Sequence, residues 1–120
     1  MKNEESRTDL GAIRIHKDVI ASIASLASLE IEGVKKIGGD FKASIYELLG
    51  KKGQIGINVE IDRNNEVKLN VPLVVKYGYN VTEVARNVQE NIQQSLEKMT
   101  NLTIKEININ IQRIEKEEQK

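Results

Sequence analysis

The sequence predicts an α+β fold, a two-layer sandwich in the order β-α-α-β-β-α-β with helices on one face of a small mixed sheet. Three observations predict it. Residues 81–99 carry one apolar stripe at helical spacing, residues 55–77 alternate apolar and polar on both sides of a polar turn, and residues 104–111 carry isoleucines set mostly two apart. Each of these strands has a single apolar face. The simplest packing therefore lays the two long helices on one side of the sheet and leaves the other side open.

The elements follow in order. Residues 1–9 are a polar lead, residues 10–114 the domain, and residues 115–120 a charged tail. Gly11 to His16 reads as a short strand with Ile13 and Ile15 on one side, and Asp18 as the N-cap of a helix over Val19 to Ile31. In that helix Ile20-Ala21-Ser22, Ile23-Ala24-Ser25 and Leu26-Ala27-Ser28 repeat every three residues. The large side chains then spread round half the helix, the serines fall on the remaining side, and the alanines allow a close neighbour. Gly33 is the expected left-handed stop. Phe41, Ile45, Leu48 and Leu49 have the spacing of a short second helix that ends at Gly50.

The period then changes to two. Ile55, Ile57, Val59 and Ile61 alternate with polar residues, Arg63-Asn64-Asn65-Glu66 makes the turn, and Val67, Leu69, Val71, Leu73, Val75 and Tyr77 alternate on the return. Pro72 has no N–H for a ladder, so the return strand is expected to be an edge or locally interrupted. Asn80, with Glu83 three residues on, caps the third helix, whose stripe is Val81, Val84, Ala85, Val88, Ile92, Leu96 and Met99. Asn101 is its expected left-handed stop. The gap from Ile104 to Ile107 breaks the parity of the last strand and predicts a bulge near Lys105 and Glu106.

Composition limits the chemistry. Lysine plus arginine and aspartate plus glutamate each number 18, so the formal net charge is zero and no long-range field steers the chain toward nucleic acid or an anionic bilayer. There is no cysteine and one histidine, His16, which excludes thiol chemistry and any two-imidazole site. No apolar run approaches the roughly 18 residues needed to span a bilayer. No carboxylate pair has a third ligand at suitable spacing, so no metal, cofactor or enzymatic activity is expected.

Two surfaces remain as candidates. The open sheet face, with Asn58, Glu60, Lys68, Asn70, Asn108, Asn110 and Gln112, includes a candidate protein contact of Asn70, Pro72, Val74, Asn108 and Asn110. Val74 is its one large apolar residue, beside a proline that marks an edge. The alternative is a small nucleic-acid-binding module built on Gly50-Lys51-Lys52-Gly53, with Lys51 and Lys52 as its contacts. Its GxxG loop would join a helix to a strand rather than two helices, and the sheet offers no aromatic stacking platform, so nucleic acid is the weaker reading.

Ordered fragments along the chain also resemble one family. Gly11-Ala12-Ile13-Arg14-Ile15, Val19-Ile20, Ile23-Ala24, Leu29-Glu30-Ile31-Glu32-Gly33-Val34, Val75-Lys76-Tyr77-Gly78, Val88-Gln89-Glu90-Asn91, Glu97-Lys98-Met99-Thr100 and Ile107-Asn108-Ile109-Asn110-Ile111 are similar to the bacterial alkaline shock protein family. Asn101 departs from the glycine that usually follows Met-Thr there. The resemblance implies a non-enzymatic scaffolding protein of the envelope stress response in Gram-positive-type bacteria. It implies residence at the cytoplasmic side of the membrane through an anchored partner carrying a related domain. The sequence adds an expectation of self-association and of no direct lipid binding, since it has no lipidation cysteine and no basic amphipathic helix.

Overall fold

The computed structural model describes residues 17–39 and 56–116. They form helix α1 (residues 17–29), strands β1 (Val34–Ile37), β2 (Asn58–Ile61) and β3 (Glu66–Lys76), helix α2 (Val81–Met99) and strand β4 (Thr103–Glu115). The expected strand Gly11–His16, the expected short helix over Phe41–Leu49 and the Gly50–Gly53 turn lie outside the described residues. Both described helices pack on one face of a mixed four-stranded sheet, so the architecture is the expected α+β sandwich. Strand β1 was not expected; a four-residue segment with two lysines shows too little alternation to announce itself.

Strand β3 is the centre of the sheet. It pairs antiparallel with β2 through Asn58↔Asn70 to Ile61↔Val67, antiparallel with β1 through Val34↔Val75 to Ile37↔Leu73, and parallel with β4 along its whole length. The expectation that Pro72 marks an edge strand is therefore corrected, and its other form, a local interruption, describes what happens. β2 and β1 share one side of β3 and meet end to end opposite Pro72, whose carbonyl accepts from the Gly38 N–H at 2.8 Å. The ring nitrogen faces the same junction, where no strand asks for a donor. The chain is tight there, since a Cβ on Gly56 would collide with the Gly38 carbonyl oxygen.

One core runs from Ile20, Ala24 and Ala27 of α1 through Val67, Leu69, Val71, Leu73 and Val75 of β3 to Val84, Val88, Ile92 and Leu96 of α2, with Ile107 of β4. The expected face of α1 is corrected. Ser25 and Ser28 are buried while Leu26 and Leu29 are 64% and 48% exposed. Small residues turn inward because the helix approaches its neighbours closely. The Ser28 hydroxyl donates to the Ala24 carbonyl at 2.7 Å and so carries no unmet bond into the core. Residues 17 and 18 are already helical, so Asp18 is not the N-cap. From α2, the Asn91 amide donates to the Ala27 carbonyl at 2.8 Å and to Glu30 Oε1 at 2.9 Å, tying the two helices together. Gly33 takes φ of 101°, and a Cβ there would meet Val84 Cγ2 at 2.7 Å.

Helix α2 begins as expected, the Asn80 side chain accepting from the Glu83 N–H at 3.0 Å. Its end differs. Asn101 is not left-handed; Thr100 stays extended and closes the last turn itself, N–H and hydroxyl both donating to the Leu96 carbonyl at 2.9 and 2.8 Å. Met99, counted in the apolar stripe, is 67% exposed because the stripe has run off the sheet by that turn. The bulge expected in β4 is present: the register passes from Val67↔Ile104 to Lys68↔Glu106 and leaves Lys105 unmatched. A second shift, between Ile111 and Arg113, leaves Gln112 unmatched.

The β2–β3 turn is held by Asp62. Its Oδ1 accepts from the N–H groups of Asn64 and Glu66 at 2.8 and 3.0 Å, and Asn65 takes the left-handed position with φ of 62°. This is a type I turn closed by a bulge residue. The Glu66 backbone N–H, more than any other group, holds the Asp62 carboxyl below the usual aspartate range.

Two outcomes check these assignments. In urea titrations Ile92→Ala costs about 2–5 kcal/mol, whereas Gln93→Ala on the exposed side costs under about 0.5 kcal/mol. Because the folded pKa of Asp62 is depressed, its contribution is present above the unfolded pKa and lost as pH falls through the folded one. Carboxyl titration by NMR should place Asp62 below the usual aspartate range, and Asp62→Asn should flatten the acid side of the stability profile.

Candidate interaction surface

The face of the sheet away from the helices is ordered in rows. Register places Asn58, Asn70 and Asn108 side by side across β2, β3 and β4, and Glu60, Lys68 and Glu106 side by side in the next row. The Asn108 amide donates to Asn70 Oδ1 at 3.1 Å and to Glu106 Oε2 at 2.9 Å, which joins the two rows. Lys68 thus stands in register between two glutamates, the arrangement of opposite charges that cross-strand neighbours favour. Gln112, the unmatched residue of the second bulge, reaches across the face, its Oε1 accepting from the Gly39 N–H at 3.0 Å.

The residues expected to form a protein contact fall into two groups. Asn70 and Asn108 are half-buried and bonded to each other, and Asn110 is exposed, all on this face. Pro72 is buried, and Val74, on the same face, is wholly buried at 0% exposure, so neither presents a surface to another chain. Lys51, Lys52 and His16 lie outside the described residues.

A feature that single-sequence reasoning missed is the outer edge of β4. In β3 the even-numbered residues turn their peptide groups toward β1 and β2, as the Pro72 and Lys76 bonds to Gly38 and Gly33 show; the odd-numbered ones face β4, where the Tyr77 N–H donates to the Glu115 carbonyl at 2.8 Å. In a parallel ladder Leu69 and Val71 then bond to Asn108, which leaves Ile107 and Ile109 with their peptide groups turned outward. The Gln89 amide of α2 confirms the direction by donating to the Ile107 carbonyl at 2.8 Å. Among the described residues no strand pairs with this side of β4.

Beside that edge lies a groove of about 490 Å³, lined by Thr82, Ala85, Arg86 and Gln89 of α2 and by Asn70, Ile107, Asn108, Ile109 and Asn110 of the sheet. Which strand ends a sheet depends on pairing between distant segments, and no local pattern carries that information. Among the described residues no three histidine, cysteine or acidic side chains gather as a metal site, and no helix is long and apolar enough to cross a membrane. The chemistry on view is hydrogen bonding and backbone pairing.

Residues 5–116 match the model of the ASP23 family, the alkaline shock proteins, described as of cell envelope-related function. The chain is 38% identical over 112 residues to the uncharacterized protein YqhY of Bacillus subtilis (strain 168), covering 92% of this chain and 82% of that protein. It is 24% identical over 111 residues to a stress response regulator gls24 homolog of Streptococcus pyogenes serotype M3 (strain MGAS315), covering 91% of this chain and 62% of that one. Among solved structures, a MamM CTD variant superposes with a TM-score of 0.52 at 12% identity, covering 83% of this chain and 99% of that one. At that identity the likeness concerns the fold.

The row order has a measurable consequence. Lys68→Glu would set three carboxylates side by side, which should destabilise the domain by about 0.2–1 kcal/mol for each like-charged pair. The deficit should shrink in 1 M salt, where the screening length falls to about 3 Å. Equal deficits at low and high salt in urea titrations would contradict the row.

Proposed function

Since the chain belongs to the alkaline shock protein family, of cell envelope-related function, we propose that it is a non-enzymatic scaffolding component of envelope homeostasis and stress response, acting through contacts with other proteins. The observation that carries this reading is the ordered, bonded sheet face bounded by a strand edge and a groove, a surface suited to recognising backbone and amide groups. A relative named as a stress response regulator supports the physiological setting.

In this reading the protein works at the cytoplasmic side of the membrane, held there by an anchored protein that carries a related domain, and it also associates with itself. Asn70, Asn108 and Asn110 belong to the contact surface. The zero net charge gives an anionic bilayer little to attract. Strong peripheral anchoring generally takes two membrane signals, and the sequence contains no cysteine for lipidation and no basic amphipathic helix.

Flotation of the purified protein with anionic vesicles should leave it in the lipid-free fraction, whereas membranes from the native cell should retain it until their proteins are digested. A crosslinked membrane fraction should yield an integral partner. Tight binding to protein-free vesicles would overturn the partner-mediated reading.

A further inference from the structure

We propose that the outer edge of β4 receives the β4 of a second copy, antiparallel and two-fold, crossing at Asn108, so that two sheets join into one. This names the surface of the self-association proposed above and rests on it. The edge has the required backbone: Ile107 and Ile109 point their peptide groups outward, and among the described residues the one bond to either carbonyl comes from the flexible Gln89 side chain. An exposed edge of this kind is satisfied by a further strand, and a symmetric pair is the commonest arrangement of identical chains.

Charge and register choose the crossing point. A two-fold at Ile109 would set Lys105 against Arg113 of the second copy, twice over. A two-fold at Ile107 would ask Lys105, the unmatched bulge residue, to bond with Ile109. A two-fold at Asn108 avoids both: Ile107 of each copy exchanges backbone bonds with Ile109 of the other, and Glu106 faces Asn110. The row Asn58-Asn70-Asn108 then continues without a break into the same row of the second copy. On the opposite face the incoming isoleucines enter the groove over Ala85, Ile107 and Ile109, between the added strand and Thr82, Arg86 and Gln89. Gln89 releases the Ile107 carbonyl to the Ile109 N–H of the second copy.

The two-fold places Asn108 beside its own copy, which makes the test specific. Asn108→Lys alone and Asn108→Asp alone put like charges on the axis and should sediment as monomers at concentrations where the wild-type chain associates, each folded by circular dichroism. An equimolar mixture should recover the dimer, with native mass spectrometry showing one copy of each. If both variants dimerise as the wild type does, the β4 edge is not the interface, although self-association stands. If the wild-type chain stays monomeric to high micromolar concentration, self-association falls, and the edge with it. Should either substitution unfold the chain, amide exchange on the wild type decides. Ile107 and Ile109 must gain protection as concentration rises, and unchanged exchange at both overturns the proposal.

Discussion

Strand β3 is hydrogen-bonded on both sides, and the rest of the molecule is arranged to keep it so. An interior strand has to satisfy a donor and an acceptor at every residue, and this one contains a proline. The fold accommodates Pro72 by dividing one flank between two short strands and placing the missing donor at the gap between them. The remaining acceptor still finds the Gly38 N–H. Because β1 and β2 must end where they do, the glycines at 38 and 56 meet there, and a side chain on Gly56 would run into the Gly38 backbone. With both flanks of β3 occupied, α1 and α2 have a continuous apolar floor from Val67 to Val75 to pack against.

How much of this could be read from the chain differs by element. Helix α2 and its Asn80 cap, the hairpin turn and the bulge at Lys105 were legible, because each rests on a local periodicity or a cap that a few neighbouring residues define. The central place of β3 was not, since Pro72 argues locally for an edge and only the meeting of β1 and β2 removes the objection. The rows on the polar face were legible as a set of residues, yet their order required the register. The edge of β4 and the groove beside it depend on which segments pair at long range. Val74 shows the same limit from the other direction: its parity was right and its exposure was not.

Helix α1 shows how size can outweigh hydrophobicity. Each triplet offers one large, one small and one hydroxyl side chain, and a transfer scale alone would bury Leu26 before Ser28. The structure does the opposite at these two positions: Ser28 lies on the inward face with Ile20, Ala24 and Ala27, one turn after Ala24, while Leu26 falls on the outer side. The hydroxyl satisfies itself on the carbonyl one turn back. Asn91 then uses the closeness, reaching the backbone of α1 at Ala27 and the acid just past its end, Glu30, with one amide.

The parallel pairing of β3 with β4 also orders events during synthesis. The crossover through α2 separates the two strands by a full helix, so residues such as Leu69 and Ile107 meet only after that helix has left the ribosome. Until then a nascent chain holds β3 open on one flank and the stripe from Val84 to Leu96 without its closing strand. Contacts of such long sequence separation form slowly and late. A chain that has emerged from the ribosome only as far as Met99 would therefore display an unpaired strand flank and an apolar helix without its closing strand together, the combination that chaperones and aggregation both recognise.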